Sequence, residues 1–313
     1  MHDDTRPPVW KTLLAFAIIY ILWGSTFLAI RIGVHEIPPL ILAAIRFLTA
    51  GLILYVWMIA RGEPSPTRRQ WQSASLLGLL IFVFDYGLLF WAEERVPSGI
   101  AAVMMATIPA FMAVSEIFFL RTQTLTLRLA LALLVGLAGV AVLMSHSFHL
   151  GGAPIPTTGA IALILASLAW SIASVITRKL PLPQSKVMSA AAQMLAGGLM
   201  LCVATAVSGE LRAFHPSTVS APAWWALLYL IIAGSLIGFT AYVWLIHHQS
   251  PTKVGTYAYV NPVIAVLIGY FFGGEALTLR TILGTLFILI SVILITTTRA
   301  RKVSPSLAVE ESA

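Results

Sequence analysis

Apolar runs of about twenty residues, separated by brief polar or proline-marked breaks, follow one another along nearly the whole chain. They cover 12–34, 38–60, 71–92, 97–120, 126–144, 156–178, 187–207, 224–247, 252–273 and 278–298. About 20 apolar residues wound as a helix cross the hydrocarbon of a bilayer, so the pattern predicts an all-α membrane protein with ten transmembrane helices. The alternating ten-residue strands of a membrane barrel do not occur. Breaks such as Pro38-Pro39, Pro64-Ser65-Pro66, Pro97, Pro181-Leu182-Pro183 and Pro251 are short, which makes successive helices antiparallel neighbours and leaves no room for a soluble domain.

Composition says the same: 59% of 313 residues are hydrophobic and 10% charged, where a soluble surface needs roughly a quarter charged. The net charge of +7 does not signal nucleic acid, because its placement follows the positive-inside rule. With a cytoplasmic N-terminus, 14 basic residues fall on inner segments (Arg6, Lys11, Arg61, Arg68, Arg69, Arg121, Arg128, Arg178, Lys179, Lys186, Lys253, Arg299, Arg301, Lys302). Four fall outside (Arg31, Arg95, Arg212, Arg280), and Arg46 lies within the second span. Both termini are therefore expected in the cytoplasm of a bacterium, with the protein multi-pass in its inner (plasma) membrane. Met1 to Lys11 is short and polar, and the first apolar run is too long for a cleaved signal, so it is expected to stay as the first helix. Cys202 stands alone and can form neither an internal disulfide nor a thiolate metal site.

The chain also repeats itself. Trp23-Gly24-Ser25-Thr26, leading to Arg31, matches Trp170-Ser171-Ile172-Ala173, leading to Arg178, at an offset of 147. Pro97 and Pro109 match Pro251 and Pro262 at offsets of 154 and 153, and Leu125-Thr126-Leu127-Arg128 recurs as Leu277-Thr278-Leu279-Arg280 at 152. Five helices per repeat is an odd number, so the second half enters the membrane from the opposite side. The expected organisation is an N-terminal segment (1–11), a first five-helix repeat (12–144), a linker (145–155), a second repeat (156–298) and a polar tail (299–313). Inverted repeats of this kind build carriers with two mirror-related states, and they also occur in channels.

These residues resemble the drug/metabolite transporter superfamily, in its EamA-type ten-helix branch and there the YedA-like exporters. The resemblance rests on Trp23-Gly24-Ser25-Thr26 with Ile30-Arg31, Ala44-Ile45-Arg46-Phe47, Ala92-Glu93 with Val96-Pro97-Ser98-Gly99-Ile100-Ala101-Ala102, Tyr257-Ala258-Tyr259-Val260-Asn261-Pro262, and Gly273-Gly274-Glu275-Ala276-Leu277. It implies a secondary carrier, often an exporter of metabolites, amino acids or drug-like compounds, with a cavity between the halves. Such proteins often carry a glutamate after the fourth helix of each repeat. Glu275 fills that place in the second half, and Gln123 stands in the first.

Candidate chemistry lies inside the spans. Pro109 and Pro262 each remove a helical hydrogen bond near mid-membrane, beside Thr107 and Asn261. They mark either a polar cavity or a packing kink. Asp85 sits in the middle of the third span, where an ionised acid is costly enough to need water or a partner. It is read either as a proton-coupling group, making protons a candidate partner, or as half of a buried pair with Arg46. Glu116 is expected to snorkel or to pair with Arg121. Arg31 and Arg178 are expected to anchor at interfaces, with Glu36 or Glu93 as alternative partners at the outer side. His247 and His248 face different sides of a helix with no third ligand spaced to join them, so no metal is expected. Trp10, Trp71, Trp224 and Trp225 fit interfacial belts. Trp23, Tyr86, Trp170, Tyr242, Tyr257 and Tyr259 lie deeper, with Ser25, Thr26 and Ser174 beside the two tryptophans, and could wall a site for an amphipathic solute or pack helices. Gly234 with Gly238, and Gly269 with Gly273, read as close-packing seams.

With no G-x-x-x-x-G-K-[ST] sequence, transport would be secondary, and no cofactor is implied. The expected partners are a small-molecule substrate and the lipid bilayer, with no nucleic acid; monomer and homodimer are both open. A channel or an importer is the alternative reading. An intramembrane enzyme is the weakest, since no catalytic set is spaced for chemistry.

Overall fold

Apolar sequence, proline-marked starts and glycine or serine boundaries produce a wholly helical chain over the residues that the computed structural model describes: 7–95, 101, 104–143, 157–273 and 279–297. Ten helical rods follow in order. They are α1 (Val9–Val34), α2 (Pro39–Ala60), α3 (Arg68–Glu93), α4 (Ile108–Leu120), α5 (Leu127–Leu143), α6 (Thr157–Ile176), α7 (Lys186–Ser208), α8 (Ala221–His248), α9 (Tyr257–Gly273) and α10 (Leu279–Thr297). Pro39 opens α2 in the first turn, where its missing N–H costs nothing. Thr67 and Gln70 close a capping box at the start of α3. Gly209, at φ +82°, ends α7 in the left-handed conformation that suits glycine.

By length and composition α1, α2, α3, α6, α7 and α8 can each cross a bilayer, and apolar stretches of α4, α5 and α10 are shorter. The protein is a multi-pass membrane protein. Its apolar exterior is consistent with that: Leu13, Ile21 and Leu28 on α1, Leu52 and Val56 on α2, Leu199, Val203 and Val207 on α7, and Ile282, Leu286 and Ile293 on α10 are all exposed.

Packing follows the repeat. The pairs α2–α7 and α5–α10 join equivalent helices of the two halves. The remaining principal contacts come as swapped pairs: α1 on α9 mirrors α6 on α4, α1 on α8 mirrors α6 on α3, and α3 on α7 mirrors α8 on α2. Since the chain reverses direction at every helix, this is an arrangement of two inverted five-helix repeats. The largest core cluster unites α1, α2, α3, α6, α7, α8 and the start of α9, while a smaller one holds α5 and α10 against α4 and α9.

The third helix of each half carries a feature the apolar pattern did not announce. Both are wound wider than an α-helix, α3 over Leu79–Tyr86 and α8 over Leu230–Phe239, each as a π-helix. Such segments are rare and recur at functional sites. The two prolines differ from expectation as well. Pro109 falls in the first turn of α4, after a break at Ala106-Thr107, while Pro262 lies inside α9. In the second half the interruption comes earlier, at Gly255-Thr256, after the single turn Pro251–Val254.

Close approach of α2 to α7 needs glycine. A Cβ on Gly51 would lie 2.7 Å from the Leu195 nitrogen, and one on Gly198 would lie 2.8 Å from the Leu48 nitrogen. Gly234 and Gly238 do not form the expected backbone seam; they leave space for side chains, the Arg46 guanidinium and the Trp23 indole respectively. The surroundings of Gly269 and Gly273 lie outside the described residues. Gly51→Leu is expected to separate α2 from α7 and destabilise the fold by about 1–3 kcal/mol or more. Unfolding of the purified protein in detergent measures it, and unchanged stability would contradict the seam.

Candidate functional site

Where the two halves meet, a cavity of about 550 Å³, counted out to its mouth, opens between the helices. Trp23, Thr26, Phe27 and Ile30 come from the second half of α1, and Asp85, Tyr86 and Leu89 from the second half of α3. Met105 and Ile108 flank the break before α4, Trp170 comes from α6, and Tyr257, Ala258, Asn261 and Pro262 from the beginning of α9. Gly24 makes this possible, since a Cβ there would strike Ile264 at 2.6 Å and keep α9 away from α1.

Aromatic rings form the floor. Trp23 stands 4.9 Å from Tyr257, 5.1 Å from Tyr242 and 5.5 Å from Trp170, centroid to centroid. Edge-to-face pairs at such distances add to the area they bury. The Trp23 indole donates to the Gly234 carbonyl at 3.0 Å, tying α1 to the π-wound stretch of α8. Beneath the floor the Tyr242 and Ser174 hydroxyls are hydrogen-bonded, and Ser174 donates to the Trp170 carbonyl at 2.6 Å.

Below that layer the helices are pinned together. Tyr20 and Thr256 hydroxyls meet at 2.7 Å. Glu116, fully buried, accepts from the Thr252 N–H at 3.2 Å and hydroxyl at 2.8 Å, and from the Thr122 hydroxyl at 3.0 Å. It therefore caps the single turn Pro251–Val254 that precedes α9, and neither snorkels nor pairs with Arg121.

At the other end the carboxylates clasp loops. Glu36 accepts from the Ser220 N–H at 2.6 Å and hydroxyl at 2.7 Å, and these two donors hold its carboxyl below the usual range. Glu210 accepts from the Leu40 and Ile41 N–H groups at the start of α2; burial raises its carboxyl in spite of them.

Within the cavity, Asp85 is 2% exposed and makes no hydrogen bond or ion pair among the described residues. The expected pair with Arg46 is not formed. The guanidinium lies over the Phe47 and Tyr86 rings, at 4.6 and 5.2 Å, and Nε donates to Ser235 at 2.9 Å. Tyr86 thus occupies Arg46 while Asp85, the preceding residue, faces the cavity. Asn261 Oδ1 and Trp170 Nε1 are also buried without partners.

Trp23, Thr26, Asp85, Tyr86, Trp170, Tyr257, Asn261 and Pro262 line one space, and Tyr242 and Ser174 lie just under it. Four candidates do not reach the lining. Ser25 points to Tyr229 on α8, and Thr107 bonds back to the Met104 carbonyl. Pro109 backs onto Gly255. Tyr259, two residues and therefore about 200° around the helix from Tyr257, donates to the Leu133 carbonyl of α5. Phe27, Ile30, Leu89, Met105 and Ile108 were missed, because apolar lining reads like apolar lipid-facing sequence. Ser167 and Ser171 were missed too, though with Ser174 they make a polar stripe at helical spacing on α6. Ser171 donates to the Ile108 carbonyl at the α4 break. Pro97 and Glu275 lie outside the described residues.

Ten helices in two inverted repeats around a central cavity are the architecture of a membrane transporter. The EamA-like transporter family model matches residues 10–145 and 157–297, and the chain belongs to this family. It is 39% identical over 291 residues to the uncharacterized inner membrane transporter YedA of Escherichia coli strain K12, covering 92% of this chain and 90% of that one. Similarity extends at 28% to the protein PecM of Dickeya dadantii, covering 91% and 93%. At 25% it reaches the uncharacterized transporter YvbV of Bacillus subtilis, covering 98% of each. A protein chain solved by crystallography shares the fold with a TM-score of 0.74 at 22% identity, over 94% of this chain and 99% of that one.

Because the Glu36 carboxyl is lowered in the folded state, its contribution to stability is present above the unfolded-state pKa. It is lost as pH falls through the folded value. Unfolding of wild type and Glu36→Gln across pH should show a stability difference at neutral pH that disappears in acid. A difference that grows in acid would contradict the clasp.

Proposed function

We propose that the chain is a secondary carrier that exports small organic metabolites, amino acids or drug-like compounds through the central cavity by alternating access. The observation that carries this reading is the unequal closure of the two ends. Lining residues extend from Trp170 and Tyr257 towards the end where α1 and α3 finish, while the opposite end holds the aromatic floor, the Tyr20–Thr256 bond and the Glu116 cap. In an inverted repeat the same contacts exchanged between halves would open the other side. The distribution of basic residues supports an orientation with both termini cytoplasmic, which puts the sealed end inside the cell and the cavity towards the exterior. We assign the protein to a bacterial inner membrane, with 12–144 and 156–298 as the moving repeats and 145–155 as their linker. Asp85, freed of Arg46, suits proton coupling better than a structural pair.

Mass spectrometry of spent medium tests the export reading. Cells overproducing the protein should enrich particular metabolites outside relative to empty-vector cells, and Asp85→Asn should remove the enrichment. Selective depletion of the medium would reverse the direction, and no difference at all would defeat the reading.

Access at the sealed end can be probed separately. In a Cys202→Ser background carrying Val254→Cys, Glu116→Ala removes charge-assisted hydrogen bonds, each typically worth about 1.5–3 kcal/mol. Thiol labelling from the cytoplasmic face should accelerate by about tenfold or more. Equal labelling rates would show that Glu116 does not hold this end shut.

A further inference from the structure

We infer that the cavity takes a small organic amine, its ammonium on Asp85 and its apolar body among Trp23, Tyr86, Trp170 and Tyr257. The inference deepens the carrier reading above and rests on it. Among the described residues Asp85 is the one charged side chain in the lining, and no lysine, arginine or histidine joins it there. A carboxylate withdrawn from water without a partner is among the most costly arrangements a protein can hold, so the site is complete only when a cation or a proton is supplied. Arg46, the basic residue within the second span, is outside the lining, with its Nε engaged by Ser235 and its guanidinium over Tyr86 and Phe47. The titratable groups facing Asp85 are the hydroxyls of Tyr86 on its own helix, Tyr242 on α8 and Tyr257 on α9.

The second buried acceptor in the lining, Asn261 Oδ1, also lacks a donor. An ammonium group carries three donors and no acceptor, which matches two unpartnered oxygens. The wall around them consists of aromatic rings, whose faces attract a desolvated cation. The lining chemistry also says what is unsuited. An anion would meet Asp85 with nothing to balance it. An amino acid would place its carboxylate where the described lining offers the Trp170 indole N–H and no basic side chain, the Thr26 hydroxyl being donated to the Trp23 carbonyl. A neutral alcohol would leave the carboxylate without a counter-charge. The same carboxylate can hold a proton when the amine has left, so amine and proton would occupy Asp85 in turn.

Four probes of one skeleton separate these cases: 2-phenylethylamine, 2-phenylethanol, phenylalanine and 3-phenylpropionate. Binding to the full-length protein in lipid nanodiscs can be read from tryptophan fluorescence, since Trp23 and Trp170 line the site. The amine should bind saturably and at least about tenfold more tightly than each of the other three. Asp85→Asn should abolish that preference and Asp85→Glu should retain part of it. Tighter binding of the amino acid or the acid, equal binding of the alcohol, or an undiminished preference in Asp85→Asn would overturn the inference. Should Asp85→Asn fail to fold, the wild-type ranking decides alone. The two readings fail separately. Spent medium enriched only in acids or neutral compounds would remove the amine and leave the carrier. Amine binding without any exported metabolite would do the reverse.

Discussion

Trp23 donates its indole N–H to the carbonyl of Gly234, and much of the protein's centre is arranged around that bond. The acceptor lies in the stretch of α8 that is wound as a π-helix, and the donor comes from the other half of the chain. In hydrocarbon no water stands by to satisfy a backbone group, so irregular winding is tolerated where protein or a wet cavity meets it. Gly238 leaves room for the ring: a Cβ there would sit 2.6 Å from Trp23 Nε1. Once held, the indole offers its surroundings to Tyr242, Tyr257 and Trp170, and these rings make the floor that separates the cavity from the sealed end.

The scaffold is close to symmetric and its chemistry is not. Every principal helix contact has a partner under exchange of the halves, and both third helices are π-wound. Yet Asp85 and Tyr86 end the wide stretch of α3, whereas Gly238 and Phe239 end that of α8. The helix break falls just before Pro109 in one half and well before Pro262 in the other. The packing is common to both halves, and the unequal residues give the cavity an acid on one wall.

Ser167, Ser171 and Ser174 on α6 and Thr177 just after it are buried, and the last three return their hydroxyls to carbonyls four residues earlier. Glu116 is saturated by three donors. Asp85 Oδ1, Asn261 Oδ1 and Trp170 Nε1 are buried without hydrogen bonds and share a single cavity, while Arg46 Nη1, Thr240 Oγ1 and both Glu93 carboxylate oxygens are buried without them elsewhere. Unmet hydrogen-bonding capacity beside an open space is capacity that a ligand or water entering it would satisfy.

The succession of apolar runs and the repeat offsets were sufficient for ten helices in two inverted halves, because the requirement to cross hydrocarbon acts on each segment locally and is written in its composition. The residue strings around Trp23, Arg46 and Asn261 were sufficient for the family. What the sequence by itself did not determine was direction around each helix. Spans that are apolar on every side carry no amphipathic stripe to say which face is buried. Tyr257 and Tyr259 look alike in the string, and only packing sends one to the cavity and the other to α5. Asp85 and Arg46 look like a pair until Tyr86 and Ser235 take the guanidinium. Glu116 looks like a surface charge until α9 begins on top of it. Hydropathy is a property of a segment, while a partner is a property of distance between segments, and that is decided only when the ten helices close together.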